Sequence, residues 1–159
     1  MEDALPDLDL SSALILLGDA ISAHVLSSLD GSGLRHSHGY VIQRLLVAPA
    51  TATEMAEALG ISQQAVSKTL KELLSLGIVE PVTDPADRRR RPVQLTERGR
   101  RAVETARAAR ADLDQRLRAH LGDRQFAQTL TALTTALDAL DLGDRVRRRA
   151  ARPPELDPA

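Results

Sequence analysis

The chain has 159 residues, 43% of them hydrophobic, and a formal net charge of −1 at pH 7. This length suits one domain of ordinary size. Because cysteine is absent, disulfides, thiol redox sensing and Cys-ligated zinc are excluded. No run of about 18 apolar residues is evident, so no transmembrane helix and no membrane partner are expected. The acidic N-terminus lacks the pattern of a secretory signal, and the expected location is the cytoplasm.

The charge is unevenly distributed along the chain. Residues 84–101 contain seven Arg and three acidic residues, although the whole chain is nearly neutral. A basic segment this concentrated fits a local footprint on a polyanion. The alternative is a run of charges that only faces solvent.

The N-terminal third predicts two helices. Residues 1–9 are expected to be frayed, because a proline and several acidic residues do not support a packed element. Apolar residues at helical spacing predict a long amphipathic helix over 10–29, which the DGSG turn ends. A short helix is predicted over about 38–47, with Ser37 as its cap.

The next segment predicts two short helices joined by a tight turn. Thr51 and Glu54 have the spacing of a capping box, and Gly60 suits the left-handed position that ends a helix. Ser62 is placed to cap the following helix, whose sequence is QQAVSKTLKELLS and whose outer face is polar and free of acidic residues. This pattern is typical of a helix-turn-helix; the alternative is an ordinary helical hairpin in a bundle.

The second half of the chain predicts a basic hairpin followed by two more helices. Short strands over 78–82 and 92–95 flank the arginine-rich segment, which is the arrangement of a wing. A long helix is predicted over about 97–120, with a break at Gly122 and a last helix over 123–140. The charged, Pro-rich stretch 143–159 is expected to be disordered. The predicted fold class is therefore mainly α with a small β-hairpin wing.

Three stretches together resemble the MarR family of regulators. They are TATEMAEALGISQQAVSKTLKELLSLGIVE, the wing DPADRRRRPVQLTERG and, more weakly, SHGYVIQRLL. The family wing pattern falls here on Asp87, Arg89, Leu95, Thr96 and Gly99, whereas Pro81 stands where the family commonly has a basic residue. The resemblance implies one domain over 10–142, in which a winged helix-turn-helix at about 35–98 lies between N- and C-terminal dimerisation helices at about 10–29 and 100–142.

The resemblance also implies a function. Members of the family bind double-stranded DNA as homodimers and commonly act as ligand-responsive repressors on palindromic operators. The polar face of the second helix of the motif is then expected to enter the major groove, where glutamine amides can pair with adenine and lysines can reach phosphate. The alternative is that the glutamines are ordinary surface residues. The recognition-helix residues expected to touch DNA are Ser62, Gln63, Gln64, Ser67, Lys68 and Lys71.

The wing is expected to contribute arginines. The resemblance implies that Arg89 enters the minor groove, where a narrow groove concentrates negative potential. Asp87 is expected to hold a wing arginine in place through a bidentate pair. Arg88, Arg90 and Arg91 would contact phosphates or remain in solvent.

The resemblance also implies a small-molecule effector. The residues expected to contact it are Tyr40, His24, His36 and His38. No cofactor or metal is predicted, since the histidines lack a nearby carboxylate cluster. No phosphate loop, nucleophile elbow or HExxH pair is present, so an enzyme is not expected. The alternative function is a winged-helix protein-interaction module that does not bind DNA.

Overall fold

The computed structural model describes residues 8–83 and 90–147, which form a mainly helical domain with one two-stranded hairpin. This architecture confirms the predicted fold class. The elements in chain order are α1 (Leu10–Ser27), α2 (His38–Leu45), α3 (Ala52–Leu59), α4 (Gln63–Ser75), β1 (Val79–Pro81), β2 (Val93–Leu95), α5 (Glu97–Ala139) and α6 (Gly143–Arg147).

Local capping defines the α3–α4 unit as the sequence predicts. The Thr51 hydroxyl accepts a hydrogen bond from the Glu54 N–H at 3.3 Å, and the Glu54 carboxylate accepts from the Thr51 N–H at 2.8 Å. Gly60 follows α3 at φ 67°, in the left-handed region. The Ser62 hydroxyl then accepts from the Ala65 N–H at 3.1 Å and caps α4. These contacts confirm the capping box, the glycine stop and the serine cap.

The hydrophobic core lies beneath the helix-turn-helix and the hairpin. Its fully buried side chains include Met55, Val66, Leu73 and Ile78. Leu74, next to the buried Leu73 on α4, is 39% exposed, because the core contacts only a narrow stripe of that helix. The clustered buried residues are Val41, Ile42, Leu45, Ala50, Met55, Ala56, Leu59, Val66, Leu70, Leu73, Ile78, Val79, Val93, Leu95 and Val103.

The hairpin is more than the isolated two-stranded ribbon that the sequence predicts. Strands β1 and β2 pair antiparallel, with Val79 opposite Leu95 and Pro81 opposite Val93. Ala50 forms a bridge to the other edge of β2, through backbone hydrogen bonds of 3.1 and 2.9 Å with Val93. β1 is thus the outer strand, where a proline without an N–H is tolerated. Each strand has three residues and is shorter than predicted.

A close contact joins the hairpin to α5. The Thr96 hydroxyl donates to the Gly77 carbonyl at 2.7 Å and accepts from the Gly99 N–H at 3.0 Å. A Cβ atom built on Gly99 would lie 2.2 Å from the Ile78 carbonyl oxygen. Glycine is therefore required where the first turn of α5 crosses the chain entering the hairpin.

Several of the remaining boundaries differ from expectation, whereas the break at Gly122 agrees with it. Ser37 occupies the cap position of α2, but its side chain makes no capping hydrogen bond and its backbone is helical. Gly122 adopts φ 76° and ψ 156° and interrupts α5 at the predicted break. The short helix α6 covers the first residues of the stretch expected to be disordered, and α1 ends at Ser27 rather than at 29.

Helix α1 is largely uncovered in the single chain. Its mean hydropathy is 1.5 over 18 residues and 6% of it is buried, so by length and composition it could cross a membrane, the one such helix in the described ranges. The expectation that no such helix exists is wrong on this measure. Core helices of soluble proteins and signal sequences also satisfy it. Its side chains with more than half of their surface exposed include Leu10, Ile15, Leu16 and Leu17.

Candidate nucleic-acid interface

The outer face of α4 carries an open groove of about 530 Å³, and all but one of the residues that line it have polar or charged side chains. Five of the six recognition-helix residues that the sequence assigns to DNA contact line it. Gln63 is exposed at the start of the helix but does not line the groove. The lining residues are Ser62, Gln64, Ala65, Ser67, Lys68 and Lys71.

The groove is positively charged. Lys68 and Lys71 are the only lysines in the sequence, and no acidic residue is among the lining residues. The start of α4 adds the partial positive charge of backbone N–H groups that have no partner within the helix. A helix start of this kind favours an anion such as phosphate.

The opposite side of α4 holds the helix in place. Val66, Leu70 and Leu73 are at most 8% exposed and pack in the core. The burial of this stripe leaves the glutamine and the lysines facing away from the protein. The helix is therefore presented with its polar side outward, as insertion into a DNA groove would require.

The described part of the wing contains a contact that the sequence did not predict. The Arg90 guanidinium donates to a Glu54 carboxylate oxygen and so ties the base of the wing to α3. The pKa of Glu54 is lowered, first by the Thr51 N–H and then also by Arg90. Arg91 is exposed. The expectations for Asp87, Arg88 and Arg89 fall outside the described residues.

A buried histidine links the start of α2 to α4. His38 is 1% exposed, and its Nδ1 accepts a hydrogen bond from the Arg35 N–H at 3.2 Å. Its Nε2 must then carry the proton, which it donates to Glu72 Oε2 at 2.9 Å. The Arg35 guanidinium donates to the same oxygen. These hydrogen bonds, from His38 first and then Arg35, lower the pKa of Glu72 to about 2.

A cavity of about 240 Å³ lies between α1, α2 and α5. Among the residues expected to contact an effector, Tyr40 and His36 line this cavity, whereas His24 and His38 do not. The Tyr40 hydroxyl lies 3.3 Å from His36 Nε2, and the two rings meet edge to face at 5.7 Å. Burial raises the pKa of the Tyr40 phenol.

The sequence did not single out Arg35, Glu72 or Arg110. Arg35 and Arg110 line the cavity, and Glu72 meets Arg35 across 37 residues of chain. No local motif indicates such a pairing, because it depends on how α2, α4 and α5 pack. Within the described ranges, no group of three His, Asp or Glu residues could hold a metal ion.

The segment that contains the helix-turn-helix is also the one that matches a known family. Residues 32–90, from the approach to α2 to the wing, match the model of the MarR family. No curated protein matches the sequence.

Several solved structures share the fold. A DNA complex of MepR from S. aureus has a TM-score of 0.66 at 22% identity, over 82% of this chain and 98% of that one. YusO from Bacillus subtilis has a TM-score of 0.67 at 21% identity, over 82% and 94%. The reduced form of MarR from E. coli also scores 0.67 at 21% identity, over 84% and 99%. These structures share the fold of this chain, and its segment 32–90, which holds the helix-turn-helix, is similar to the MarR family.

Proposed function

We propose that the chain is a sequence-specific double-stranded-DNA-binding regulator of transcription. The observation that carries the proposal is the acid-free groove on α4, where both lysines of the chain stand beside an exposed glutamine. Support also comes from MepR, a similar fold whose structure was solved with DNA bound. We place the activity in the cytoplasm, where the DNA of a bacterial cell lies.

The groove residues have distinct roles in this proposal. Gln64 projects from the first turn of α4 and would pair with a base edge in the major groove. Lys68 and Lys71 follow one and two turns later and would contact phosphates. The Ser62 hydroxyl accepts from Ala65, so its own proton is available for a phosphate oxygen. Phosphate contacts position the protein, and the glutamine supplies base selection.

The wing completes the proposed footprint. Arg89 would enter the minor groove, Asp87 would orient a neighbouring guanidinium, and Arg88 and Arg91 would reach phosphates. Arg90 has a different task in the described structure, since Glu54 binds it at the base of the wing. We therefore assign Arg90 to anchoring the wing rather than to phosphate.

A homodimer is the proposed acting form. Large apolar side chains are exposed on the terminal helices, among them Ile15 and Leu17 of α1 and Leu117 and Leu130 of α5. Large apolar side chains left in solvent in this number mark an interaction site. A two-fold dimer would present two copies of α4 to half-sites about one helical turn apart, that is, to a palindromic operator. Repression by occupying such an operator is the proposed mode of regulation.

A salt titration of duplex binding tests the proposal. We would measure the affinity for fragments selected from the source genome and plot its logarithm against that of the salt concentration. Lys68→Ala should reduce the slope by about two in a dimer, one phosphate per subunit. Arg124→Ala, far along α5, is the matched control and should leave the slope unchanged. Absence of salt-dependent duplex binding would overturn the proposal and favour a protein-interaction module.

Lysine labelling gives a second readout. Because the groove holds the only two lysine side chains, an amine-reactive reagent modifies α4 and the chain's N-terminus alone. Bound duplex should protect Lys68 and Lys71, as detected by peptide mass spectrometry. Equal labelling with and without a saturating duplex would show that DNA binds elsewhere.

A further inference from the structure

We propose that Lys68 and Lys71 form an acylation site that small acyl phosphates modify directly, and that this modification releases the protein from DNA. The acylation site depends on the chain alone. Its effect on DNA binding rests on the proposed function.

Lysine is confined to one surface of this protein. Two of the 21 Lys and Arg residues of the chain are lysines, and both line the groove on α4. Lysine amines accept acyl groups, whereas the guanidinium of arginine stays protonated and does not react in this way. An acylating compound therefore finds its side-chain targets in this groove, apart from the amine at the N-terminus of the chain.

Both lysines are accessible to a reagent. Lys68 and Lys71 are exposed, and neither forms a hydrogen bond or an ion pair with another residue of the described ranges. The groove in front of them is open, so an acyl group on either amine displaces no packed side chain. Val66 and Leu70 hold the other side of the helix in the core. Acylation is therefore compatible with the fold.

The charge of the groove selects the acyl donor. Two cations and no acidic residue line it, so it attracts an anionic donor more strongly than a neutral one. Lys68 and Lys71 are three positions apart and are neighbours on the surface of the helix. One ammonium group can therefore bind the phosphate of an acyl phosphate while the other amine reacts with its carbonyl carbon.

The reaction balances without a further reactant. The uncharged amine of one lysine attacks the carbonyl carbon and forms a C–N bond. The C–O bond to the phosphate breaks, and inorganic phosphate leaves with the bonding electrons. Of the two protons that the ammonium group gives up, one passes to water before the attack and the other ends on the departing phosphate. The product is an amide, so each acylation removes one positive charge from the groove.

The lost charges are those that we assign to contacts with DNA. Lys68 and Lys71 contact phosphates in the proposed function, and an amide makes no ionic contact there. A dimer acylated at both positions loses four such contacts. The slope of the logarithm of affinity against that of the salt concentration should therefore fall by about four.

The choice of donor can be tested by mass spectrometry. Acetyl phosphate is the probe, and the neutral N-hydroxysuccinimide ester of acetic acid is the control donor. Peptide analysis of the full chain gives the ratio of acetylation at the two lysines to that at the N-terminal amine. This ratio should be about threefold or more higher with acetyl phosphate, because the neutral ester gains nothing from the cationic groove. Equal ratios with the two donors would overturn the proposal.

Variants of Lys71 test whether one lysine recruits the donor for the other. Lys71→Gln removes the cation beside Lys68 and should slow acetylation of Lys68 by acetyl phosphate about threefold or more. Lys71→Arg restores the cation and should recover the rate. Arg107→Gln removes an exposed cation of α5 outside the groove and should have no effect. Equal rates in Lys71→Gln and Lys71→Arg would overturn the recruitment.

The effect on DNA is measured as duplex affinity before and after treatment with acetyl phosphate. The affinity of the wild type should fall by about tenfold or more at about 0.1 M salt. The loss should follow the fraction of protein acetylated at Lys68 and Lys71, and a loss that does not follow it would overturn the switch.

A double variant separates the lysines from the N-terminal amine. In Lys68→Arg combined with Lys71→Arg, treatment should leave duplex affinity at its untreated value, because arginine is not acetylated. An equal fall in the wild type and the double variant would place the cause outside the groove. If the untreated wild type binds no duplex, the proposed function fails, whereas the labelling ratio still decides the acylation site.

Discussion

The Glu72 carboxylate joins two helices, which its neighbours in the sequence do not indicate. Glu72 Oε2 accepts hydrogen bonds from both His38 and Arg35, and both donors come from the start of α2. In sequence, Glu72 is one more charged residue on an amphipathic helix. In the structure it helps to hold the helix that we propose enters DNA. A burial pattern alone would not reveal this, because Glu72 is itself only half-buried.

The lowered pKa of Glu72 predicts a pH dependence of stability. Its pKa falls from the ordinary 4.5 to about 2 on folding, so the stabilising contribution of its ionised form is complete above about pH 5 and is lost as the pH falls toward 2. The free energies of unfolding of the wild type and Glu72→Gln, measured by urea titration, should converge between about pH 6 and pH 3. A difference that stays constant over this range would contradict the prediction.

Adding one methyl group at Gly99 should lower the free energy of unfolding, because the position is sterically crowded. Gly99→Ala places a Cβ atom 2.2 Å from the Ile78 carbonyl oxygen, so α5 or the hairpin must shift. We expect a loss of about 1–3 kcal/mol in the free energy of unfolding, as for other overpacked sites. Gly39→Ala is the control, because nothing lies within 4 Å of its added Cβ. It should be neutral or stabilising by up to about 1 kcal/mol; similar losses in both variants would contradict this account.

At the scale of elements, α3 and α4 owe their limits to contacts a few residues apart. The capping box, the left-handed glycine and the serine cap all act within three or four positions. Sequence patterns detect such contacts well, because the partners are adjacent in the chain. The cap of α2 is the exception. Ser37 has the right residue type, but its helical backbone points the side chain away from the capping position.

The capping box of α3 can be tested with two threonine variants that should differ in stability. Thr51→Ala removes the acceptor for the Glu54 N–H and should lower the free energy of unfolding by about 1 kcal/mol. Thr53→Ala makes the same chemical change at an exposed position in the first turn of α3, two residues after Thr51. It should be neutral or slightly stabilising, because alanine has the higher helix propensity. Thermal unfolding of the two variants at one protein concentration would separate them, and equal midpoints would argue against the cap.

At the scale of the whole molecule, the distribution of apolar residues indicates a missing partner. The winged half has a closed core, whereas α1 and the distal part of α5 leave large aliphatic side chains in solvent. A membrane and a second copy of the chain would both cover such a surface. We favour the second copy because exposed leucines occur on both terminal helices, and a dimer gives the two-fold symmetry that an operator requires.

Leu130 tests the dimer. It is 59% exposed in the single chain, and burying a leucine side chain contributes about 1.5–3 kcal/mol. Leu130→Asp should therefore shift the protein from dimer toward monomer in sedimentation velocity at micromolar concentration. Val47→Asp is the control, since Val47 is 58% exposed but follows α2, away from the terminal helices. A wild-type monomer, or a dimer that survives Leu130→Asp, would exclude this part of α5 from the interface.

Features that depend on near neighbours follow from the amino-acid sequence alone. Apolar periodicity, caps and glycines located α1, α3, α4 and the break at Gly122, and three stretches of sequence carried the resemblance to the family. The same spacing predicts that Gln64, Ser67, Lys68 and Lys71 share one helical face, and these four residues line one groove on α4.

What distant segments do together depends on how the folded elements pack. It brought Glu72 to Arg35 and His38, added Ala50 to the hairpin, paired Arg90 with Glu54 and enclosed a cavity between three helices. Each of these contacts joins segments that are far apart in the chain or on different helices. Such contacts depend on the relative placement of packed elements, which a local pattern of residues does not encode.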